Sequence, residues 1–193
     1  MTRRYARHVL AAASLMIALG AHAQDARVDG VEIVTEGVYA TQRDPSKPFT
    51  RTDEGVSATL AAWKHVRTTH VVPACKGTSF GAEVRITGAP EGTVVMIRNV
   101  TIPPKPLTDP LAAKPWQQMV SEFPYAIGGT GIDMYGFDED WELVPGTWRQ
   151  QMWYGDKKIL DWTFEVVASG CEPISLRALD RHMAFKADEP GAG

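Results

Sequence analysis

The pattern of hydrophobic and polar positions along the chain is mainly the two-residue alternation of β-strands. It is clearest in "FGAEVRIT", residues 80–87. The apolar positions of this segment share one face: Phe80, Ala82, Val84 and Ile86. Charged or hydroxyl-bearing side chains occupy the other face, so the segment is predicted to be a strand with one buried and one exposed side.

Other segments predict further strands. Residues 28–39, 69–74 and 93–102 are rich in β-branched residues. The last of these has apolar residues on both faces, which is typical of a strand covered on both sides. The glycine-interrupted segment 125–137 predicts one or two short strands, and the proline-rich segment 103–115 predicts an extended loop. Together they predict an all-β fold, an immunoglobulin-like antiparallel β-sandwich.

The segment "WELVPGTWRQQMWYGDKKILDWTFEVV", residues 141–167, holds four of the six tryptophans and predicts a hairpin. Pairing Met152 with Leu160 directs both apolar faces to the same core. This pairing requires a loop with an odd number of residues, such as Gly155–Lys157, because a two-residue turn would place Met152 opposite Ile159. The pairing predicts burial of three rings: Trp148, Trp162 and Phe164.

Trp153 is the exception in this hairpin. The same pairing directs it outward near the tip, beside Ile159 and with Arg149 in a polar rim. Either a neighbouring segment covers the ring, or the ring belongs to a small apolar patch that contacts a partner. Gln150 is the opposite anomaly, an amide at an inward position that must find backbone partners or mark a gap in the core.

The first 23 residues have the pattern of a signal peptide. Arg3, Arg4 and Arg7 precede a short apolar run, and "AHA" follows it, which predicts cleavage after Ala23. The apolar run is shorter than the roughly 20 residues of a membrane span, and no later run is long enough. We therefore expect a periplasmic or secreted protein with no membrane span in the mature chain.

The mature chain has the size of one domain. Removing 23 of 193 residues leaves 170, and the loss of three arginines takes the formal net charge from −3 to −6. An acidic exported chain is a poor candidate for binding nucleic acid. We expect the sandwich at 24–170 and a short extension at 171–193. The extension carries a helical pattern at 175–185 and a tail at 187–193 that is expected to be disordered.

Cys75 and Cys171 both lie in the exported part. An even pair in an oxidising compartment is most simply a disulfide. Chain-entropy reasoning assigns a loop of this length a stabilisation of about 4–5 kcal/mol. A metal or redox pair is the alternative, but the chain has no C-x-x-C motif and no histidine close to Cys171. The sequence therefore predicts the disulfide.

Three motifs have a familiar order: "THVVPACKGTSFG", then "VTIPP" with a "TDP" loop, and finally the hairpin segment that begins at Trp141. In this order they resemble a family of bacterial exported proteins, catalogued as a domain of unknown function with an immunoglobulin-like sandwich. The resemblance spans about residues 37–167. It implies the fold and an envelope location, but no catalytic or ligand-binding residue. The chain departs from the family pattern at Gln150 and in having Cys75 and Cys171.

The acidic run "FDEDWE" is the main candidate for ligand chemistry. It supplies Asp138, Glu139, Asp140 and Glu142, whose carboxylates could hold calcium. It lacks the Asx and glycine spacing of a calcium loop, so a solvated acidic run is the simpler interpretation. Ser79 lies in a glycine-flanked turn with no specified base, which favours a turn over a nucleophile. We therefore predict no metal ion, no cofactor and no catalytic residue.

Three function classes stay open after these observations. The first, which we favour, is a non-catalytic interaction or accessory module that binds another protein of the cell envelope. The second is a small-ligand or glycan-binding protein that uses exposed aromatics such as Trp153, Trp116 or Tyr125 with the acidic run. The third is an enzyme, for which the sequence shows no converging polar residues. The fold alone does not decide among them.

Overall fold

The computed structural model describes residues 25–47, 50–52 and 55–171. Within these residues, eleven strands and one 3-10 turn form a sandwich of two sheets with a short hairpin beside it. In chain order they are β1 (Arg27–Arg43), β2 (Thr50–Thr52), β3 (Gly55–Ser57), β4 (Leu60–Arg67), β5 (Val71–Pro73), β6 (Ser79–Ala89), β7 (Val94–Ile102), β8 (Met119–Ala126), β9 (Thr130–Gly136), the 3-10 turn (Asp140–Glu142), β10 (Gly146–Tyr154) and β11 (Lys157–Val167).

The two sheets have the strand orders β4-β1-β6-β9 and β5-β11-β10-β7-β8. Neighbouring strands are antiparallel in both sheets, except that β5 runs parallel to β11. The predicted immunoglobulin-like sandwich is confirmed, with β5 as a departure from an entirely antiparallel arrangement. Strands β8 and β9 are the edge strands on one side of the sandwich, and this arrangement positions the candidate site.

The burial of β6 follows the alternation in its sequence, since its four inward residues are completely buried. Strand β7 does not match its prediction. It was expected to be covered on both faces, but Val94 is 64% and Met96 52% exposed. Between and beyond them, Val95 and Ile97 are buried in the core. The first half of β7 therefore has one solvent-exposed face, and only residues 99–101 are buried on both sides.

The final hairpin pairs Met152 with Leu160, as predicted. The rings of Trp148, Trp162 and Phe164 are buried, which confirms the inward face. Since the sheet packs this face on the other sheet, Trp148 and Phe164 meet Phe80 of β6, with ring centroids 5.8 and 5.2 Å apart. These aromatic contacts are the centre of the core.

The predicted loop of the hairpin is wrong. The turn contains only two residues, Gly155 and Asp156, and Trp153 pairs with Lys158. The register shift between Met152 and the next residue leaves Ile159 as the extra residue of a β-bulge. A bulge adds one unpaired residue to a strand. The residues beyond it therefore face inward as predicted, although the turn has two residues and not three.

A disulfide joins Cys75 to Cys171, with Cα atoms 5.5 Å apart. It connects the chain just after β5 to the chain just after β11. The predicted signal peptide, residues 1–23, lies outside the described residues, as do the helical pattern at 175–185 and the tail at 187–193. In the described part of the chain, no helix is long and apolar enough to cross a membrane.

Candidate ligand-binding cleft

Trp153 of the predicted interaction patch is half-buried and is held by its own sheet. Its indole Nε1 donates a hydrogen bond of 3.1 Å to Oε1 of Gln151. The guanidinium of Arg98 lies 5.3 Å from the ring centroid, and the ammonium of Lys158 lies 5.8 Å from it. The ring therefore has partners within the protein, one of which comes from β7.

The two other residues of the predicted patch also have internal contacts. Ile159 is half-buried and packs against the core. Arg149 makes a bidentate pair with Asp161, with nitrogen–oxygen distances of 2.6 and 2.5 Å. The hydrogen bond from Arg149, with a further one from Lys158, lowers the pKa of Asp161 to about 2. The structure thus brings the three residues of the predicted patch together. Arg149, however, already has an ion-pair partner, Asp161.

Glu142 of the acidic run is buried and fixes the turn around it. Its Oε2 accepts hydrogen bonds from the backbone N–H groups of Asp138 and Glu139, at 2.6 and 2.7 Å. Its Oε1 accepts a hydrogen bond of 2.8 Å from the hydroxyl of Tyr135. Burial raises the pKa of this carboxyl in spite of these three donors.

The other carboxylates of the run diverge from Glu142. Asp138 forms an ion pair with Arg43, whereas Asp140 lies 3.1 Å and Glu139 3.9 Å from the ammonium of Lys76. In the part of the chain that the structure describes, no group of three or more His, Cys, Asp or Glu residues could hold a metal ion. The run therefore forms a turn whose three other carboxylates pair with Arg43 or Lys76.

Two other residues considered from the sequence are also engaged. Trp116 is buried, with its ring edge-on to Trp141 at 5.5 Å. The hydroxyl of Ser79 lies 2.8 Å from the hydroxyl of Thr41, not from a base. Trp116 is therefore a packing residue, and Ser79 lacks the partner that would activate it as a nucleophile.

A cleft with a volume of about 470 Å³ opens between β8 and β9. The two strands belong to different sheets and do not hydrogen bond to each other, because each pairs only with its own sheet. The chain crosses between them through a short turn at residues 127–129. The start of β4 and the end of β1 add Leu60, Trp63 and Thr41 to the lining.

Aromatic side chains line this cleft. Trp63 is 42% and Phe123 39% exposed, so both rings present apolar surface to the cleft. The ring of Tyr125 is buried against β9 at Gly131. A Cβ atom at Gly131 would lie 2.5 Å from this ring, so glycine is needed there for the ring to lie against the strand.

A buried polar network forms part of the cleft wall. The side-chain amide of Asn99 donates hydrogen bonds to Oδ1 of Asp133 at 3.0 Å and to the hydroxyl of Tyr125 at 3.2 Å. The Tyr125 hydroxyl in turn donates to the carbonyl oxygen of Ile132 at 2.6 Å. Oδ2 of Asp133 is buried and has no hydrogen-bond partner among the described residues.

Asp133 is on the inward face of β9 because it pairs with the buried Ala82 of β6. Only 6% of its surface is exposed, and it lines the cleft. Burial raises its pKa to about 7, although the hydrogen bond from Asn99 opposes the shift. This carboxyl therefore changes protonation near neutral pH.

Tyr125 and the acidic run are candidates from the sequence, whereas Asp133, Trp63 and Phe123 are not recognisable there as one site. A signal was present, since "GIDMYGF" places an acid at a position that alternates with apolar residues of β9. The sequence gives no indication that Asp133 lies beside β8, because β8 and β9 are edge strands of different sheets.

The comparisons with known proteins agree with this fold. A crystal structure at 1.50 Å of an immunoglobulin-like protein from Pseudomonas aeruginosa is similar, with a TM-score of 0.50 and 22% identity. The similarity covers 75% of this chain and 98% of that chain, and it shows the fold alone. No curated protein matches the chain. Residues 27–166 match the family described as "Domain of unknown function (DUF3859)", and the chain belongs to this family.

Proposed function

We propose that this protein is a non-catalytic binding protein of the cell envelope that holds a small ligand in the cleft between β8 and β9. One observation supports this proposal most directly. The same cleft is lined by exposed aromatic rings and by a buried carboxyl with an unused acceptor. Ligand sites are concave and mostly apolar, with a few polar groups that orient the ligand. Their volumes run from about 300 to 1,000 Å³, a range that includes this cleft.

The envelope location is supported by two observations. The first 23 residues have the signal-peptide pattern, and a disulfide joins Cys75 to Cys171. Disulfides persist mainly in oxidising compartments, which include the periplasm and the cell exterior. Both observations support a location in the periplasm or outside the cell.

Binding is favoured over catalysis by the contacts of the lining residues. The hydroxyl of Ser79 bonds to another hydroxyl, and the carboxylate of Glu142 is occupied by two backbone N–H groups and a tyrosine. General-base catalysis needs a base within hydrogen-bond reach of the group that it activates. These contacts fix the shape of the cleft instead.

The protein-interaction surface expected at Arg149, Trp153 and Ile159 stays a prediction, and the structure gives it less support. Arg149 and Trp153 already contact ionic or polar partners, and Ile159 packs on the core. A partner at this face would have to compete with those contacts.

The test is a fragment screen on the mature protein with its disulfide intact, read as shifts of assigned backbone amide signals in NMR spectra. We expect binding fragments to shift signals of β8 and β9. Ser121→Trp, which adds bulk on the inward face of β8, should abolish these shifts. Met96→Trp places the same ring on the exposed face of β7 and should leave them intact. Fragments that bind Ser121→Trp and the wild type equally would contradict the proposal.

A further inference from the structure

We infer that the ligand of this cleft carries a protonated amine on an apolar body, with the ammonium group at Asp133 and the body against the aromatic rings. This inference rests on the proposed function and names the chemical class of its ligand. It follows from three features of the described lining: an unused acceptor, an excess of acidic groups and the exposed rings.

The unused acceptor is Oδ2 of Asp133. The other oxygen of this carboxyl accepts the hydrogen bond from Asn99, and the hydroxyl of Tyr125 donates elsewhere, to Ile132. Buried acceptors in proteins nearly always have a donor. The site therefore lacks a donor at this oxygen, and an ammonium group brings three N–H donors.

The charges of the lining point to a cation. The carboxyls of Asp133, Asp138 and Glu142 line the cleft with the guanidinium of Arg43, which forms an ion pair with Asp138. An anionic ligand would meet this excess of acids in a partly buried site. A neutral ligand could supply the missing hydrogen bond but would leave the charge of Asp133 without a counter-ion. A cation supplies both, and it would stabilise the ionised carboxyl whose pKa burial raises.

The aromatic rings favour an apolar body on this cation. Trp63 and Phe123 present apolar surface to the same cleft, although soluble domains usually bury such rings. Aromatic faces also attract cations through the ring quadrupole, most strongly in tryptophan. A small arylalkylamine or alkylamine matches both the rings and the carboxyl.

The experiment compares three probes of nearly equal shape by NMR titration of the mature protein at about pH 8, above the pKa of Asp133. The probes are 2-phenylethylamine, 2-phenylethanol and phenylacetate, which are cationic, neutral and anionic. We expect the amine to bind about tenfold or more tightly than the alcohol, because a hydrogen bond to a buried charge is strong. We expect phenylacetate to bind most weakly of the three.

Variants assign the preference to its cause. Asp133→Asn keeps the shape of the side chain and should remove the preference for the amine over the alcohol. Asp156→Asn removes an acid from the exposed hairpin turn and serves as the matched control, with the preference retained. Trp63→Ala should weaken binding of the amine and of the alcohol by similar factors. The ratio of the two affinities therefore tests the role of the charge even where both affinities fall. Thermal melts confirm that each variant is folded.

The outcomes separate this inference from the proposed function. Equal binding of the alcohol and the amine, or an unchanged preference in Asp133→Asn, would overturn the amine inference while a cleft ligand still stands. Fragments that never shift the signals of β8 and β9 would overturn both.

Discussion

Asp133 is the residue where local sequence and fold conflict most directly. Its neighbours on the inward face of the first sheet are apolar, and its carboxyl is buried with one oxygen bonded to Asn99. A charge in such a place destabilises the folded state unless a partner compensates it. Residues that break the local pattern in this way are often functional, and the position of Asp133 in the cleft agrees with that rule.

The pH dependence of stability tests the burial of Asp133. Its pKa is about 7 in the folded protein and near 4 in an unfolded chain, so between these values the folded state binds more protons. Ionisation of this group therefore lowers the free energy of unfolding as pH rises from about 4 to about 7. Asp133→Asn removes the effect and should be more stable than the wild type at about pH 8, by up to about 4 kcal/mol.

Urea unfolding at about pH 4 and about pH 8 measures this difference. We expect the two proteins to have similar stabilities at the lower pH, where both side chains are neutral. Asp156→Asn, in the exposed turn, should follow the wild type at both values. A difference between Asp133→Asn and the wild type that does not change with pH would contradict the assignment.

At the scale of elements, the final hairpin shows how a two-residue turn can be combined with an apolar face that points inward on both strands. The bulge at Ile159 moves the rest of β11 by one position, so that Trp162 and Phe164 face inward. Without a bulge, a one-residue slip would turn the whole apolar face of β11 to solvent. The bulge is thus the local feature that makes the two-residue turn compatible with the core.

Two single-residue deletions test this account. Deleting Ile159 removes the bulge but keeps Met152 opposite Leu160, so the fold should survive with a loss of about 1–2 kcal/mol from lost apolar contact. Deleting Thr163 shifts Phe164 to the outward face and should prevent folding. Near-ultraviolet circular dichroism and thermal melts distinguish the results. Equal stability of the two deletion variants would show that the register is not specified by this pairing.

At the scale of the whole molecule, β5 and the disulfide join the two ends of the described fold. Strand β5 pairs with the last residues of β11, and the bond between Cys75 and Cys171 closes a sequence separation of 96 residues just beyond it. A cross-link over so long a separation mainly restricts the unfolded chain. It lies outside the lining of the cleft.

The double variant Cys75→Ala/Cys171→Ala should therefore lose stability and keep binding. We expect the free energy of unfolding to fall by about 2–5 kcal/mol, because the loop entropy of the unfolded chain is restored. Urea unfolding measures the loss, and the amine titration under native conditions should be unchanged. A variant as stable as the wild type would show that the bond contributes little beyond the parallel pairing of β5.

The match between prediction and structure differs among elements for physical reasons. Strand β6 was predicted correctly because its alternation reports burial directly. Most of β8 was missed, since "MVSEFPYA" contains a proline and a glutamate that only an edge strand accommodates. The prediction that both faces of β7 are covered was wrong for its first half. An apolar sequence does not reveal that Val94 and Met96 face solvent.

By itself the sequence determined the strands with a clear two-residue period, the inward face of the last hairpin and the disulfide. These depend on local alternation, on pairing parity and on there being two cysteines. Only the tertiary structure decided that Ile159 forms a bulge, that Arg98 contacts Trp153 and that Asp133 meets Trp63 and Phe123 at one cleft. Each of these depends on which strands become neighbours, and packing of the two sheets sets that arrangement between residues far apart in the chain.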